Sequence, residues 1–275
     1  PLPMSCRSAV GAFATQYPES VTAEEGIDLS EAIDDWDVLQ WDVPDGTWSV
    51  FYFAERVMYE GTHAQGNVSE FKHYVNLLDP AVTRAFLRVT HEAYYRELPS
   101  ETWRSVEAIF TDEPSFMSYY APPLPERFHG NVPVGDIPRF KDRPMAVPWV
   151  DGFDDLFRSE KGYDLKPYLY ALFTSQSEEA CYVRQHYYEV VTERYTNAFY
   201  RQIQDWCQTH GIASSGHLLL EENILDHVIF HGSLFSAVRR MTLPGLDMLN
   251  SDPEALMDGG SFMGASFMGI KTVTS

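Results

Sequence analysis

The chain is short of positive charge and of long apolar runs. Only 20 Lys and Arg stand against 40 Asp and Glu, which gives a formal net charge of −20. Nucleic acids and anionic membranes need a basic surface, so this charge opposes binding to either. No stretch of about 18 apolar residues occurs, and the sequence therefore predicts no transmembrane helix. We expect no nucleic-acid partner and no membrane partner.

Cysteine is also scarce. Cys6, Cys181 and Cys207 are odd in number and widely spaced, and no CxxC pair is present. This pattern excludes a zinc ribbon and a disulfide framework. His227 and His231 have a four-residue spacing that suits a metal, but the glutamate of an HExxH motif is missing, which disfavours zinc.

What the sequence does contain is a set of short strands that run into acidic residues. The residues from Val106 to Phe110 form an apolar, β-branched and aromatic run typical of a buried strand. Pro114 ends the strand because proline has no N–H for a sheet. Asp112 and Glu113 are thus placed at a strand end, which is where catalytic groups gather in a β/α barrel. A solvated acidic turn is the alternative.

Two further segments follow the same pattern. The strand predicted at 212–215 leads to His217 and then to the carboxylate pair Glu221 and Glu222. A strand-and-turn segment at 241–249 delivers Asp247 at its end. Parallel strands place their carboxyl ends on one face, so we expect these side chains to share a cleft.

Helices separate these strands. Asp79 and Pro80 predict a helix start, and Pro99 its end. Ser175 and Glu178 form a capping-box pattern before a long helical stretch that Gly211 ends. Helices that alternate with strands predict a parallel sheet whose strands are buried on both faces.

The predicted fold class is therefore α/β, a (β/α)8 TIM-barrel-like module, complete or partial. A flavodoxin-like sheet is disfavoured because no glycine-rich phosphate turn is present. The turn at 44–46, Pro-Asp-Gly, predicts an N-terminal β-hairpin whose second strand is 48–53. We expect a β-rich segment at 1–75 and the barrel at 76–275, truncated at its C-terminus.

Several motifs, taken in order, carry a resemblance to a known family. They are Val43-Pro-Asp-Gly-Thr-Trp48, Leu78-Asp79-Pro80, Phe110-Thr-Asp-Glu-Pro114, Gly162-Tyr-Asp-Leu165, His210-Gly211 with Ser215-Gly-His217, and Pro244-Gly-Leu-Asp247. In this order they resemble the large bacterial glycoside hydrolases related to family 106, which contains the α-L-rhamnosidases. The resemblance implies a β/α barrel that cleaves a glycosidic bond with two glutamates, with calcium as a candidate cofactor. It also implies a further strand ending in Ser-Glu after Ser275, and hence a partial catalytic module.

Glycoside cleavage needs a protonated carboxyl to protonate the leaving oxygen and a second carboxylate as nucleophile or base. Glu113 is the predicted acid, because neighbouring Asp112 would raise its pKa. Glu222 is the predicted second carboxylate, with Glu221 or a residue beyond the chain as alternatives. Adjacent strand residues point to opposite faces, so only one of Asp112 and Glu113 should enter the cleft.

The remaining predicted site residues bind substrate. They are Asp112, His217, Glu221, Trp149 and Asp247. His217 would bind a sugar hydroxyl or serve the strand-end loop structurally, and Trp149 would stack on a sugar or pack in the core. The expected partner is an oligosaccharide or glycoside.

Two other functions stay open at this point. The first is a carbohydrate-binding or degenerate barrel module without catalysis. The second is a metal-dependent hydrolase that holds a divalent ion with Asp112, His217, His227 and Asp247. The compartment, whether bacterial cytoplasmic or secreted, does not follow from the sequence.

Overall fold

A computed structural model describes residues 6–16, 26–36, 38–56, 75–116, 146–173, 177–219 and 227–247. The chain divides into two units. Unit 1 comprises residues 1–74 and 149–190, and unit 2 comprises residues 75–148 and 191–275. In the described residues each unit has a three-stranded sheet together with helices, so a mixed α/β class is confirmed at this level.

The strands are, in chain order, β1 (Cys6–Thr15), β2 (Ile27–Asp28), β3 (Ser49–Arg56), β4 (Ala108–Asp112), β5 (Ala213–His217) and β6 (Leu243–Pro244). The α-helices are α1 (Pro80–Val89), α2 (His91–Glu97), α3 (Ser100–Trp103), α4 (Phe153–Lys161), α5 (Glu178–Tyr195), α6 (Arg201–Thr209), α7 (His227–His231) and α8 (Leu234–Val238). The described residues also contain two 3-10 helices, Ser30–Ala32 and Lys166–Leu172, and a π-helix, Thr196–Tyr200. Within these ranges no helix has the length and apolar character needed to cross a membrane.

The sheet of unit 1 is antiparallel, in the order β2-β1-β3. The strand predicted after the Pro-Asp-Gly turn exists as β3, but it pairs with β1 rather than with the residues before the turn. In the described part of that earlier segment, pairing is limited to a bridge between Leu39 and Ile33. β1 is not predicted from the sequence, because its Ala and Gly residues have low strand preference.

Tryptophans on either side of that turn pack against each other. The rings of Trp41 and Trp48 meet edge to face with centroids 5.5 Å apart. Both rings also pack on a small core formed by Ala12, Ala14 and Leu29. These two tryptophans therefore serve packing in unit 1.

In unit 2 the predicted helix start at Asp79 and Pro80 is confirmed. The Asp79 side chain accepts a hydrogen bond from the Ala81 N–H at 2.8 Å, as an N-cap does. The helix does not run unbroken to Pro99, however. It breaks at Thr90, whose hydroxyl donates to the Phe86 carbonyl at 2.7 Å, and α2 then begins. A β-branched residue that bonds back to the preceding turn is a common cause of such a break.

The long predicted helix exists as α5, the π-helix and α6 in succession. Ser177 supplies the N-terminal cap, since its Oγ accepts from the Ala180 N–H at 3.2 Å. The predicted cap, Ser175, lies outside the described residues. Gly211 follows α6 with φ +70°, the left-handed conformation expected of a helix-ending glycine.

The sheet of unit 2 is parallel, in the order β4-β5-β6. The parallel pairing predicted for the first two strands is thus confirmed. The prediction that both faces of each strand are buried is wrong for β4, where Phe110 is 57% exposed. Within the described ranges β4 is an edge strand of the sheet. The three described strands form no closed barrel, and the barrel remains a prediction.

Candidate active site

The carboxyl ends of the three parallel strands approach one another because glycine stands at two contact points. A Cβ added at Gly216 would collide with the Thr111 carbonyl oxygen. Gly245 donates its N–H to the Gly216 carbonyl at 2.7 Å, and a Cβ there would lie 2.8 Å from the same oxygen. Larger residues would push these strand ends apart, so the glycines draw the following side chains together.

The side chains that follow these ends converge. Glu113, His217 and Asp247 each offer one ligand-type atom, and these atoms all lie within 4.8 Å of one another. His217 is buried, whereas the two acids are half-buried. We call these three residues the strand-end cluster. It contains two carboxylates and one imidazole that can exchange protons or bind a cation.

Asp112 contacts the cluster from its exposed side. Its Oδ1 lies 2.8 Å from His217 Nε2, with the Asp112 side chain 77% exposed and His217 only 10%. Asp112 and His217 are also direct partners in the register of β4 and β5. The contact fixes the orientation of the imidazole, while Glu113 rather than Asp112 belongs to the cluster.

Glu113 has an unusual backbone conformation. Its φ is +43°, the left-handed region that a residue with a side chain seldom adopts. Such conformations persist only where surrounding contacts enforce them, and they concentrate at functional sites. Here two hydrogen bonds hold the residues that follow Glu113. The Tyr195 hydroxyl donates to the Pro114 carbonyl at 2.6 Å, and the Phe116 N–H donates to the Phe230 carbonyl at 2.9 Å.

The π-helix contributes to this support. Tyr195 precedes it, and the Tyr200 hydroxyl within it lies 3.1 Å from the Tyr195 hydroxyl. Both tyrosines are buried. An insertion of this kind changes the helical phase, and it is frequent at functional sites. The sequence does not reveal this role of Tyr195, since a π-helix has no sequence signature.

His231 is a further residue near the cluster that the sequence did not single out for this site. Its Nε2 bonds to the Leu219 carbonyl at 2.6 Å. Burial lowers the pKa of His231 to about 4, although that hydrogen bond and the charge of Glu113 act in the opposite direction. His231 is therefore neutral at pH 7. His227 and His231, whose spacing alone suits a metal, do not join the strand-end cluster in the described residues.

The sequence resemblance implied calcium, so the donor atoms of the strand-end cluster bear on whether that ion could bind. Calcium prefers six to eight oxygen ligands. A histidine nitrogen between two carboxylates suits zinc or a related transition ion instead. The cluster therefore does not fit calcium, and of the four ligands proposed for a divalent ion it contains His217 and Asp247, with Glu113 in place of Asp112 and without His227.

Other predicted site residues lie elsewhere. Trp149 belongs to unit 1, where its half-buried ring packs on Phe153 with centroids 4.9 Å apart. Glu221 and Glu222 fall outside the described residues. The structure thus brings together Glu113, His217 and Asp247, with Asp112 alongside.

The site is therefore a carboxylate–imidazole cluster at the ends of parallel strands in a mixed α/β protein. No family model matches the chain, and no curated protein matches it. Among solved structures, the chain is similar to a rhamnosidase from Novosphingobium sp. PP1Y, with a TM-score of 0.47 and 15% sequence identity. The match covers 86% of this chain and 20% of the other, so the chain spans about a fifth of that protein.

Proposed function

We propose that the protein is a glycoside hydrolase in which Glu113 is the general acid. The observation that carries the proposal is the convergence of Glu113, His217 and Asp247 at the carboxyl ends of parallel strands. A hydrolase of this kind needs two carboxylates on either side of the scissile bond. The strained backbone at Glu113 and the buried hydrogen bonds around it hold the acid in place.

The second carboxylate has two candidates. Glu222 is the one proposed from the sequence. Asp247 has an oxygen within 4.8 Å of Glu113, close to the separation of about 5–5.5 Å between carboxyl groups in retaining enzymes. In that arrangement one carboxyl protonates the leaving oxygen while the other attacks the anomeric carbon. His217, oriented by Asp112, hydrogen-bonds a sugar hydroxyl.

The substrate proposed is a glycoside, and α-L-rhamnosides are the first to test because the sequence motifs resemble family 106. Trp149 and Glu221 remain proposals for substrate contacts. The activity of a longer protein that contains this chain is part of the same proposal.

The experiment compares Glu113→Gln with the unchanged protein on two substrates. Glycosides with poor leaving groups need protonation and should lose turnover strongly, about 100-fold or more. Activated aryl glycosides need less protonation and should lose less. Glu107→Gln is the matched control, because Glu107 is exposed just before β4 and undergoes the same change. Equal losses on both substrates would remove Glu113 from the acid role.

A metal-dependent hydrolase is the second candidate function. It is favoured by the ligand-like spacing of the strand-end cluster, whose two carboxylates and imidazole suit a zinc-type ion. Elemental analysis and chelation separate the two candidates. The glycosidase mechanism requires no metal and predicts turnover that survives dialysis against a chelator. Loss of turnover on chelation, restored by zinc, would favour the metal enzyme.

A further inference from the structure

Unit 1 contains a cleft that the proposed hydrolase does not use. Its volume is about 400 Å³, within the range of about 300–1,000 Å³ typical of small-molecule sites. It lies between the loop after α4, the 3-10 helix Lys166–Leu172 and the first turns of α5. Val183 and six polar or aromatic residues line it, namely three tyrosines, two glutamates and a histidine. The six are Tyr163, Tyr168, Tyr182, Glu178, Glu179 and His186, here called the tyrosine cleft.

Two of the three tyrosine rings of the cleft, Tyr163 and Tyr168, are held by ring contacts. Tyr163 and Tyr168 meet at 82° with centroids 5.5 Å apart, so their rings form two walls of a corner. The rings of Phe157 and Tyr163 also meet edge to face, at an interplanar angle of 89° and with centroids 5.0 Å apart. The Tyr163 hydroxyl lies 3.2 Å from His186 Nδ1. Rings fixed in this way need no reordering when a ligand enters.

The cleft also has negative charge. Glu178 and Glu179 occupy the first turn of α5, and the Tyr182 hydroxyl donates to Glu178 Oε1 at 3.5 Å. Within the described part of the chain, no lysine or arginine lines the cleft. The nearby cations on these elements have other partners, since Lys161 pairs with Glu189 and the Arg184 guanidinium donates to the Ala171 carbonyl.

The negative charge of the cleft also affects the pKa of the Tyr163 hydroxyl. Burial, and to a lesser extent the neighbouring Tyr168 and the negative charge of Glu179, together raise the pKa of Tyr163 to about 12. A negative potential of this kind favours a positively charged ligand over a neutral one.

We propose that the tyrosine cleft binds a small organic cation that carries a quaternary or alkylated ammonium group. Such a group is attracted by the faces of aromatic rings, and it suits perpendicular rings because its charge has no preferred direction. Carboxylates at the rim add direct attraction. First-turn glutamates also stabilise a helix. In this cleft they stand beside Tyr182, whose 54% exposed ring is accessible to a ligand.

The test uses choline as the probe and 3,3-dimethylbutan-1-ol as its uncharged isostere. Both are titrated into the full chain, with saturation-transfer NMR so that millimolar binding is visible. The proposal expects choline to bind about tenfold more tightly than the alcohol, because only choline gains the cation–π and carboxylate attraction. Equal binding of the two probes, or no choline binding at tens of millimolar, would overturn it.

Variants locate the site. Tyr168→Ala and Glu179→Gln should each weaken choline binding about threefold to tenfold. Tyr182→Ala provides a second aromatic test that preserves folding, because this side chain is exposed. Glu160→Gln, an exposed charge change on α4 outside the lining, should leave binding unchanged. The cleft is refuted as the site if the three lining variants bind choline like the unchanged protein. Stronger binding of methyl α-L-rhamnoside than of choline would identify a sugar site instead.

Discussion

His217 Nε2 lies 2.8 Å from the Oδ1 of Asp112, and the two residues face each other across β4 and β5. An ionised carboxylate only accepts hydrogen bonds, so it requires a proton on Nε2. Asp112 therefore selects the tautomer of a neutral His217 and leaves Nδ1 as the ring's acceptor. The exposed acid acts on the cluster through this histidine.

Replacing Asp112 with alanine should remove the preference of His217 for the Nε2–H tautomer. We expect nitrogen NMR of the ring to show a predominant Nε2–H tautomer of His217 in the unchanged protein and a mixture of tautomers in Asp112→Ala. Turnover should fall about tenfold or more, since the imidazole loses its orientation. Glu107→Ala is the control, with an exposed acid removed before the same strand. An unaltered tautomer ratio in Asp112→Ala would contradict this role.

The close approach of the strand ends gives a second prediction. Gly216→Ala should destabilise the protein by about 2–4 kcal/mol, because the new methyl collides with the backbone of β4 at Thr111. Gly162→Ala is the comparison, since Gly162 has φ +80° but nothing within 4 Å of an added Cβ. That variant should lose only about 1–2 kcal/mol through its left-handed backbone. Chemical denaturation measures both, and equal losses would show that the contact at Gly216 is relieved easily.

The sequence predicted the local elements of unit 2 better than their surroundings. Asp79, Pro80 and Gly211 act through adjacent backbone, and their effects are therefore visible in a short stretch. The parallel pairing of β4 and β5 followed from the helical segments between them. The partner of β3 did not follow, because β1 lies more than 30 residues away in a run of weak strand formers.

The same contrast between local signals and contacts of distant segments applies to the candidate site. Glu113, His217 and Asp247 were found because each follows a predicted strand. The Tyr195 contact and the His231 environment were not, since both depend on packing between distant segments. The left-handed backbone of Glu113 was also hidden, because nothing in the sequence forces a glutamate into that conformation.

Tyr195 positions the loop that carries Glu113, and Tyr195→Phe tests this. The variant leaves the buried Pro114 carbonyl without its 2.6 Å donor and should cost about 1–3 kcal/mol of stability. If Tyr195 had only a structural role, the variant would lose stability and nothing else. A positioning role predicts in addition a fall in kcat with little change in KM, measured well below the unfolding temperature. The control is Tyr94→Phe, because Tyr94 is 62% exposed in the same unit. If kcat in Tyr195→Phe equals that of the control, Tyr195 does not position Glu113.

His231 predicts how stability depends on pH. Burial lowers the pKa of this histidine from 6.5 to about 4 in the folded protein, whereas the unfolded chain titrates near its ordinary value of about 6.5. Between these values the unfolded state binds the proton and the folded state does not. Stability should therefore be full above about pH 6.5 and fall on acidification towards pH 4, by about 3 kcal/mol from this group.

The measurement is the free energy of unfolding between pH 4 and 7.5 for the unchanged protein and for His231→Gln. The glutamine cannot titrate but can still donate to the Leu219 carbonyl, so the dependence on pH should flatten. It should not vanish, because burial also lowers the pKa of His91 and acts in the same direction. His210→Gln, which removes a histidine of the same unit but keeps His231, should retain the steep dependence. A His231→Gln curve parallel to that of the unchanged protein would mean that His231 takes up its proton in the folded state as readily as in the unfolded chain.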